Sequence, residues 1–140
     1  MENKDITELN DFLKGLYMGI HTYDHYINEC DDPNAKKVLQ NIQQEHKLSA
    51  ILLAERIQNL GGHPTSDSGI KGAMVDFMST FTTPTKTADI ISEAVTMEQK
   101  YAVHKAGSVI KGDISERNKA IIDQILERNE NHVHMLQQLE

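Results

Sequence analysis

Apolar residues recur at three- and four-residue intervals through four stretches of the chain, the spacing that lines one face of a helix. The first stretch carries Ile6, Leu9, Leu13, Leu16, Ile20, Tyr23 and Ile27. It predicts a helix from about Ile6 to Cys30, with Asp5 and Glu8 placed as a capping pair. Asp31-Asp32-Pro33 closes that helix and opens the next, with Asp32 as N-cap and Pro33 at the first helical position, where a missing N–H costs nothing. The second seam reads Ala35, Val38/Leu39, Ile42, His46, Ser49, Leu53, Ile57 and Leu60, and Gly61-Gly62 supplies its C-terminal stop. A turn this short folds the two helices antiparallel.

Most of the punctuation lies between Gly61 and Thr87: Gly61, Gly62, Pro64, Gly69, Gly72, Pro84 and a run of Ser and Thr. Within this long connection, Ile70 to Phe81 places Met74, Phe77, Met78 and Phe81 at helical spacing, which predicts a short extra helix over the bundle. A third long helix is expected from about Thr87 to Lys111, on Ile91, Ala94, Glu98, Tyr101, Lys105 and Val109. A fourth runs from about Ser115 to Leu139, on Ile122, Ile125, Asn129, His132, Leu136 and Leu139. The fold class is therefore all-α: an antiparallel four-helix bundle of two hairpins joined by one long crossover.

The residues that interrupt these seams are more informative than those that make them, because a polar side chain in a bundle core costs a few kcal/mol unless something satisfies it. His46 with Ser49, Glu98, and Asn129 with His132 are the interruptions. Each pair is spaced i, i+3 on one helix face, and antiparallel packing can bring all five to one level. Two imidazoles and a carboxylate converging there would suit a first-row metal. The candidate ligands are His46, Glu98 and His132, with Asn129 beside them. The competing reading is a set of satisfied core polars that fix helix register with no ion.

Composition and charge narrow the picture. A length of 140 residues fits one domain spanning 1–140. A net charge of -7, with 14 Lys+Arg against 21 Asp+Glu, leaves no basic surplus to bind nucleic acid. The single Cys30 excludes an internal disulfide and any multi-cysteine metal site, and fits a reducing cytoplasm. No apolar run approaches the roughly 20 residues of a membrane span. Of seven histidines, His21 and His25 form an i, i+4 pair flanking Asp24 that reads as a solvated helix flank, and His63, His104 and His134 have no partners at ligand spacing. Gly15 and Gly19 share a face of the first helix, where close helix approach is expected, or else a small pocket beside Leu16, Tyr17 and Tyr101. Glu45, Lys47, Glu55, Arg56, Glu127, Arg128 and Glu130 read as mixed-sign solvated faces.

Leu53-Ala54-Glu55-Arg56-Ile57-Gln58-Asn59-Leu60-Gly61-Gly62-His63-Pro64 resembles the end of the second helix of bacterioferritin, Dps and rubrerythrin-like proteins. Counting back to the Glu-x-x-His of those ferritin-like families lands on His46-Lys47-Leu48-Ser49-Ala50. Asn129-Glu130-Asn131-His132 is similar to their fourth-helix Glu-x-x-His, and Glu98 lies where they carry a lone third-helix glutamate. The likeness extends over nearly the whole chain and is nearest to small bacterial ferritin-like domains.

That resemblance implies a di-iron ancestry, and the departures from it are specific. His46 stands where a glutamate belongs, Ser49 where a histidine belongs and Asn129 where a glutamate belongs. The first-helix glutamate is expected near Gly15-Leu16-Tyr17, where there is no carboxylate. Ferroxidase chemistry is not expected with most carboxylate positions replaced. A single transition metal ion (Zn, Fe or Ni) and no metal at all are the two open readings. The functions attached to them are iron or oxidative-stress handling by a degenerate ferritin-like protein, and a metal-free interaction module, stress- or spore-associated, without catalysis. A homodimer in the cytoplasm is expected rather than a cage, since the sequence stops after the fourth helix, without nucleic-acid or membrane partners.

Overall fold

In a computed structural model the protein is all-helical over the residues described, 2–67, 84–99 and 115–140. Four helices are seen there: α1 (Glu2–Glu29), α2 (Pro33–Asn59), α3 (Thr87–Met97) and α4 (Glu116–Gln137). The expected helix at Ile70 to Phe81 and the second half of the expected third helix lie outside the described residues. None of the described helices is long and apolar enough to cross a membrane.

The boundaries of α2 follow from local chemistry. The Asp32 carboxylate accepts from the Ala35 N–H at 2.9 Å, and Pro33 takes the first turn, where no N–H is needed. At the other end Gly61 adopts φ +86 and donates to Gln58 O, while Gly62 donates to Ile57 O, the paired bonds of a Schellman stop. A Cβ on Gly62 would stand 2.8 Å from Ile6 Cγ2 of α1, so this glycine also lets the turn close against its neighbour. The loop beyond is tied to α1 through Asn10, which donates to the His63 carbonyl and accepts from the Thr65 N–H.

Two apolar clusters show how the helices run. One joins Tyr26 and Cys30 at the end of α1 to Ala35 and Leu39 at the start of α2, Ile90 and Ile91 of α3, and Leu136 of α4. The other joins Leu9, Leu13 and Leu16 of α1 to Leu53 and Ile57 of α2 and Ile122 and Ile125 of α4. Hence α2 is antiparallel to α1, α4 is parallel to α1, and α3 starts at the end where α2 starts. The chain between Asn59 and Thr87 thus joins opposite ends of the bundle, as the long crossover requires. Fully buried Leu and Ile side chains contribute about 1.5–3 kcal/mol each, and they fill both clusters. The level between the clusters is polar.

Asp5 corrects the sequence reading. α1 begins at Glu2, so Asp5 lies inside the helix and does not cap it. It is buried, and its Oδ2 accepts from the Ser115 N–H at 3.1 Å and from Asn118 Nδ2 at 2.7 Å, while Asn118 Oδ1 accepts from Arg56 Nε at 2.7 Å. The carboxylate thus serves orphan donors at the N-terminus of α4, the helix end that favours an anion. Burial acts to raise the Asp5 carboxyl, but the bonds from Ser115 and Asn118 bring it below its ordinary value. Charge-assisted bonds of this kind contribute about 1.5–3 kcal/mol, so Asp5→Ala should lower the unfolding free energy by roughly that amount in urea titrations at pH 7. Because the folded value is depressed, the contribution is complete above the unfolded aspartate range near ~4 and is lost as pH falls through the folded value. The wild-type and variant curves should therefore converge in acid, and a constant gap down to pH 2 would contradict the assignment.

Candidate metal centre

Between the two apolar clusters, α2, the end of α3 just past Met97, and α4 each present one buried ligand-capable side chain. His46 lies on the buried face of α2, four residues after Ile42 and four before Ala50. Glu98 follows the last residue of α3, where the helix widens into a π turn over Glu98 and Gln99, a distortion often found at functional sites. His132 lies on the buried face of α4 between Asn129 and Leu136. One ligand atom from each of His46, Glu98 and His132 can be chosen so that all three lie within 4.8 Å of one another. All three residues are at most 3% exposed. Ser49 and Asn129 are buried on the same helix faces, one turn from His46 and His132 respectively.

Hydrogen bonding fixes what each atom can do. Glu98 Oε1 lies 2.6 Å from His46 Nε2 and accepts from the Tyr23 hydroxyl at 2.7 Å. The imidazoles of His46 and His132 pack edge to face, with centroids 4.9 Å apart. His132 Nε2 lies 2.9 Å from Glu45 Oε2, and its Nδ1 lies 3.7 Å from Glu98 Oε1. Three buried atoms, His46 Nδ1, Glu98 Oε2 and His132 Nδ1, have no hydrogen-bond partner among the described residues. Each ligand residue therefore keeps one atom with unused capacity.

Electrostatics decides the protonation states. Burial works to raise the Glu98 carboxyl, yet the His46 and His132 imidazoles and the Tyr23 hydroxyl hold it below its ordinary range, so it is anionic. Burial depresses the His132 imidazole, outweighing the opposing pull of Glu98 and Glu45, so this ring is neutral. Burial and the facing Glu98 raise the Tyr23 phenol well above its ordinary value, which keeps its proton available for donation. A neutral imidazole has one N–H. In the tautomer whose N–H meets Glu45, the Nδ1 lone pair is left 3.7 Å from the anionic Glu98 Oε1. A lone pair facing an anion in a low-dielectric core is unfavourable unless a positive charge lies between them.

A carboxylate on the distal nitrogen of a ligating histidine is also the common outer arrangement at metal centres, fixing tautomer and ring orientation. Glu45 holds that place on His132. Three residues of this network correct the sequence reading. Glu45, Arg56 and Arg128 are not only solvated: Glu45 bonds His132, Arg56 bonds Asn118, and Arg128 Nη1 donates to Ser49 Oγ at 3.4 Å. The helix-1 position at this level is likewise Tyr23, two turns beyond the expected Gly15-Leu16-Tyr17. Gly15 and Gly19 have no described atom within 4 Å of an added Cβ, so no close approach among described residues accounts for them. Leu16 is buried in the core, Tyr17 lines an outer groove, and Tyr101 of the expected pocket lies outside the described residues. His21 pairs with Asp67 at 2.6 Å on the surface, apart from the buried triad.

The fold and this centre define a class: an all-α bundle with a buried set of two imidazoles and one carboxylate at mid-height. Residues 4–112 match the family described as a domain of unknown function, DUF2383, and the chain belongs to that family. The matched span includes His46 and Glu98, and His132 lies beyond it on α4. No curated protein and no solved structure matches the chain.

Proposed function

We propose that this protein is a degenerate ferritin-like bundle that holds one transition metal ion on His46, Glu98 and His132. The observation carrying this reading is geometric: ligand atoms of the buried His46, Glu98 and His132 lie within 4.8 Å of one another, and His132, held at Nε2 by Glu45, keeps its unpartnered Nδ1 3.7 Å from Glu98 Oε1. A cation between those atoms turns a repulsion into two bonds. Imidazole nitrogen suits Zn, Fe and Ni alike, and one carboxylate offsets part of the ionic charge. Glu98 is the one buried carboxylate at this level among the described residues, which suits a single ion rather than two irons bridged by carboxylates. Asn129, one turn from His132, is the proposed neighbour of the site. The ferritin-like resemblance attaches the role to iron or oxidative-stress handling.

A second reading has its own support. His46 and Tyr23 both bond Glu98 Oε1, so part of the buried charge is satisfied with no ion, as a metal-free interaction module would need. Metal analysis of tag-free protein, incubated with Zn, Ni or Fe(II) and then freed of excess, separates the two. The expected result is close to one ion per chain, falling to background in His46→Ala. Glu45→Gln should weaken binding roughly 10–100-fold by loosening His132. No ion retained by the wild type at excess metal would overturn the metal reading and leave the metal-free module.

A further inference from the structure

The outward face of α2 lies away from the buried centre and carries two large apolar side chains in solvent, Leu48 at 58% and Ile51 at 60% exposure. Ile51 also lines a groove between α1 and α2 of about 390 Å³, together with Tyr17, Ile20, Lys47, Ala50, Ala54 and Glu55. Neither Lys47 nor Glu55 makes an ion pair among the described residues. The order of residues along this face identifies what fits it. Lys47 and Glu55 stand four residues before and after Ile51, Gln44 and Gln58 stand seven before and after, and Leu48 and Ala54 stand three before and after.

We infer that this face is the interface of a homodimer, formed by antiparallel α2 helices crossing on a two-fold axis at Ile51. A two-fold axis there places each Lys47 against Glu55 of the partner subunit and each Gln44 against Gln58 of the partner subunit. Each Leu48 meets the partner's Ala54, a large residue against a small one over the groove, and Ile51 meets its own copy. An isologous contact demands this self-complementarity. Opposite charges, paired amides and a large-to-small fit all satisfy it about one centre. A different protein would need no such symmetry in the sequence of this face. The inference is independent of the metal reading, because Lys47, Leu48, Ile51 and Glu55 lie on the exposed face of α2 and His46 on its buried face.

Symmetry makes the test sharp. At a rise of about 1.5 Å per residue, the two copies of position 58 would lie roughly 21 Å apart while those of position 51 meet on the axis. Disulfides need Cα atoms closer than about 7 Å. Ile51→Cys should therefore give a covalent dimer on a non-reducing gel under mild oxidation, and Gln58→Cys should not. In sedimentation experiments on the full chain, Ile51→Arg should weaken association roughly 100-fold or more, as loss of a central anchor does. Lys47→Glu should weaken it too, and Lys47→Glu with Glu55→Lys should restore it, with helicity by circular dichroism unchanged throughout. A monomeric wild type, a dimer indifferent to Ile51→Arg, or a Gln58→Cys cross-link as efficient as that of Ile51→Cys would overturn the assignment. Metal content should be the same in Ile51→Arg as in the wild type, so failure of one reading is distinguishable from failure of the other.

Discussion

Glu98→Leu should abolish metal binding and lower the unfolding free energy of the metal-free protein by roughly 3–5 kcal/mol, the cost of breaking a buried charged network by removing one partner. Glu98 Oε1 is the shared partner of His46 Nε2 and the Tyr23 hydroxyl, both buried. Without it two donors lose their acceptor in a site that water does not reach. The companion variant is the informative control. Tyr23→Phe, His46→Leu, Glu98→Leu and His132→Leu made together should recover most of the lost stability or exceed the wild type, because replacing an entire buried ionic cluster by apolar groups is often neutral or stabilising by about 1–4 kcal/mol. The combined variant would still bind no metal. Urea unfolding in chelator measures both arms, and metal analysis confirms the loss. A Glu98→Leu cost below about 1 kcal/mol would mean that these groups do not act as a unit. A combined variant that melts far below the wild type would mean that the layer is needed for packing rather than for a ligand.

The contrast between His46 and Tyr23 shows how much of this site is legible in the chain. His46, Ser49, Glu98, Asn129 and His132 stand out because each interrupts a seam whose other members are apolar, and the structure buries all five. Tyr23 lies on its seam as an apolar residue, and nothing in the spacing says that its hydroxyl meets a carboxylate 75 positions away. Glu45 and Arg128 lie beside their seams, where periodicity assigns them to water, yet each is long enough to reach a buried polar atom. The level at which helices meet is a further quantity that spacing within one helix does not contain. The ferritin-like resemblance places the first-helix position near Leu16, whereas the helix-1 group that meets Glu98 is the Tyr23 hydroxyl. Asp5 makes the same point for caps. Its local pattern fits the start of its own helix, but its partners, Ser115 and Asn118, begin another. The turn chemistry of Asp32, Pro33 and Gly61 was legible because those contacts span only a few residues.

Saturating the centre with its ion should stabilise the fold by an amount that depends steeply on pH. A ligand that binds only the native state adds RT ln(1 + [L]/Kd), about 4 kcal/mol at a thousand-fold excess over Kd. In a chain of this size that is a rise in melting temperature of roughly 10–20 °C. The ion needs unprotonated imidazole nitrogens and an ionised carboxylate, so protons compete with it. His132 has a depressed folded value, caused first by burial, while in the unfolded chain it titrates near ~6.5. Between those values the unfolded chain holds the extra proton, so the chelated protein keeps this contribution in full above about 6.5 and loses stability as pH falls below it. Glu98 is depressed as well, and its contribution persists above the unfolded carboxylate range near ~4.3 and is lost as pH falls through its folded value. The metal increment should therefore be largest near neutrality, shrink as pH falls and vanish in strong acid. Paired thermal melts with and without chelator across pH 4–8 measure it directly. An increment that does not change with pH, or one retained in His46→Ala, would show that the stabilising ion sits elsewhere.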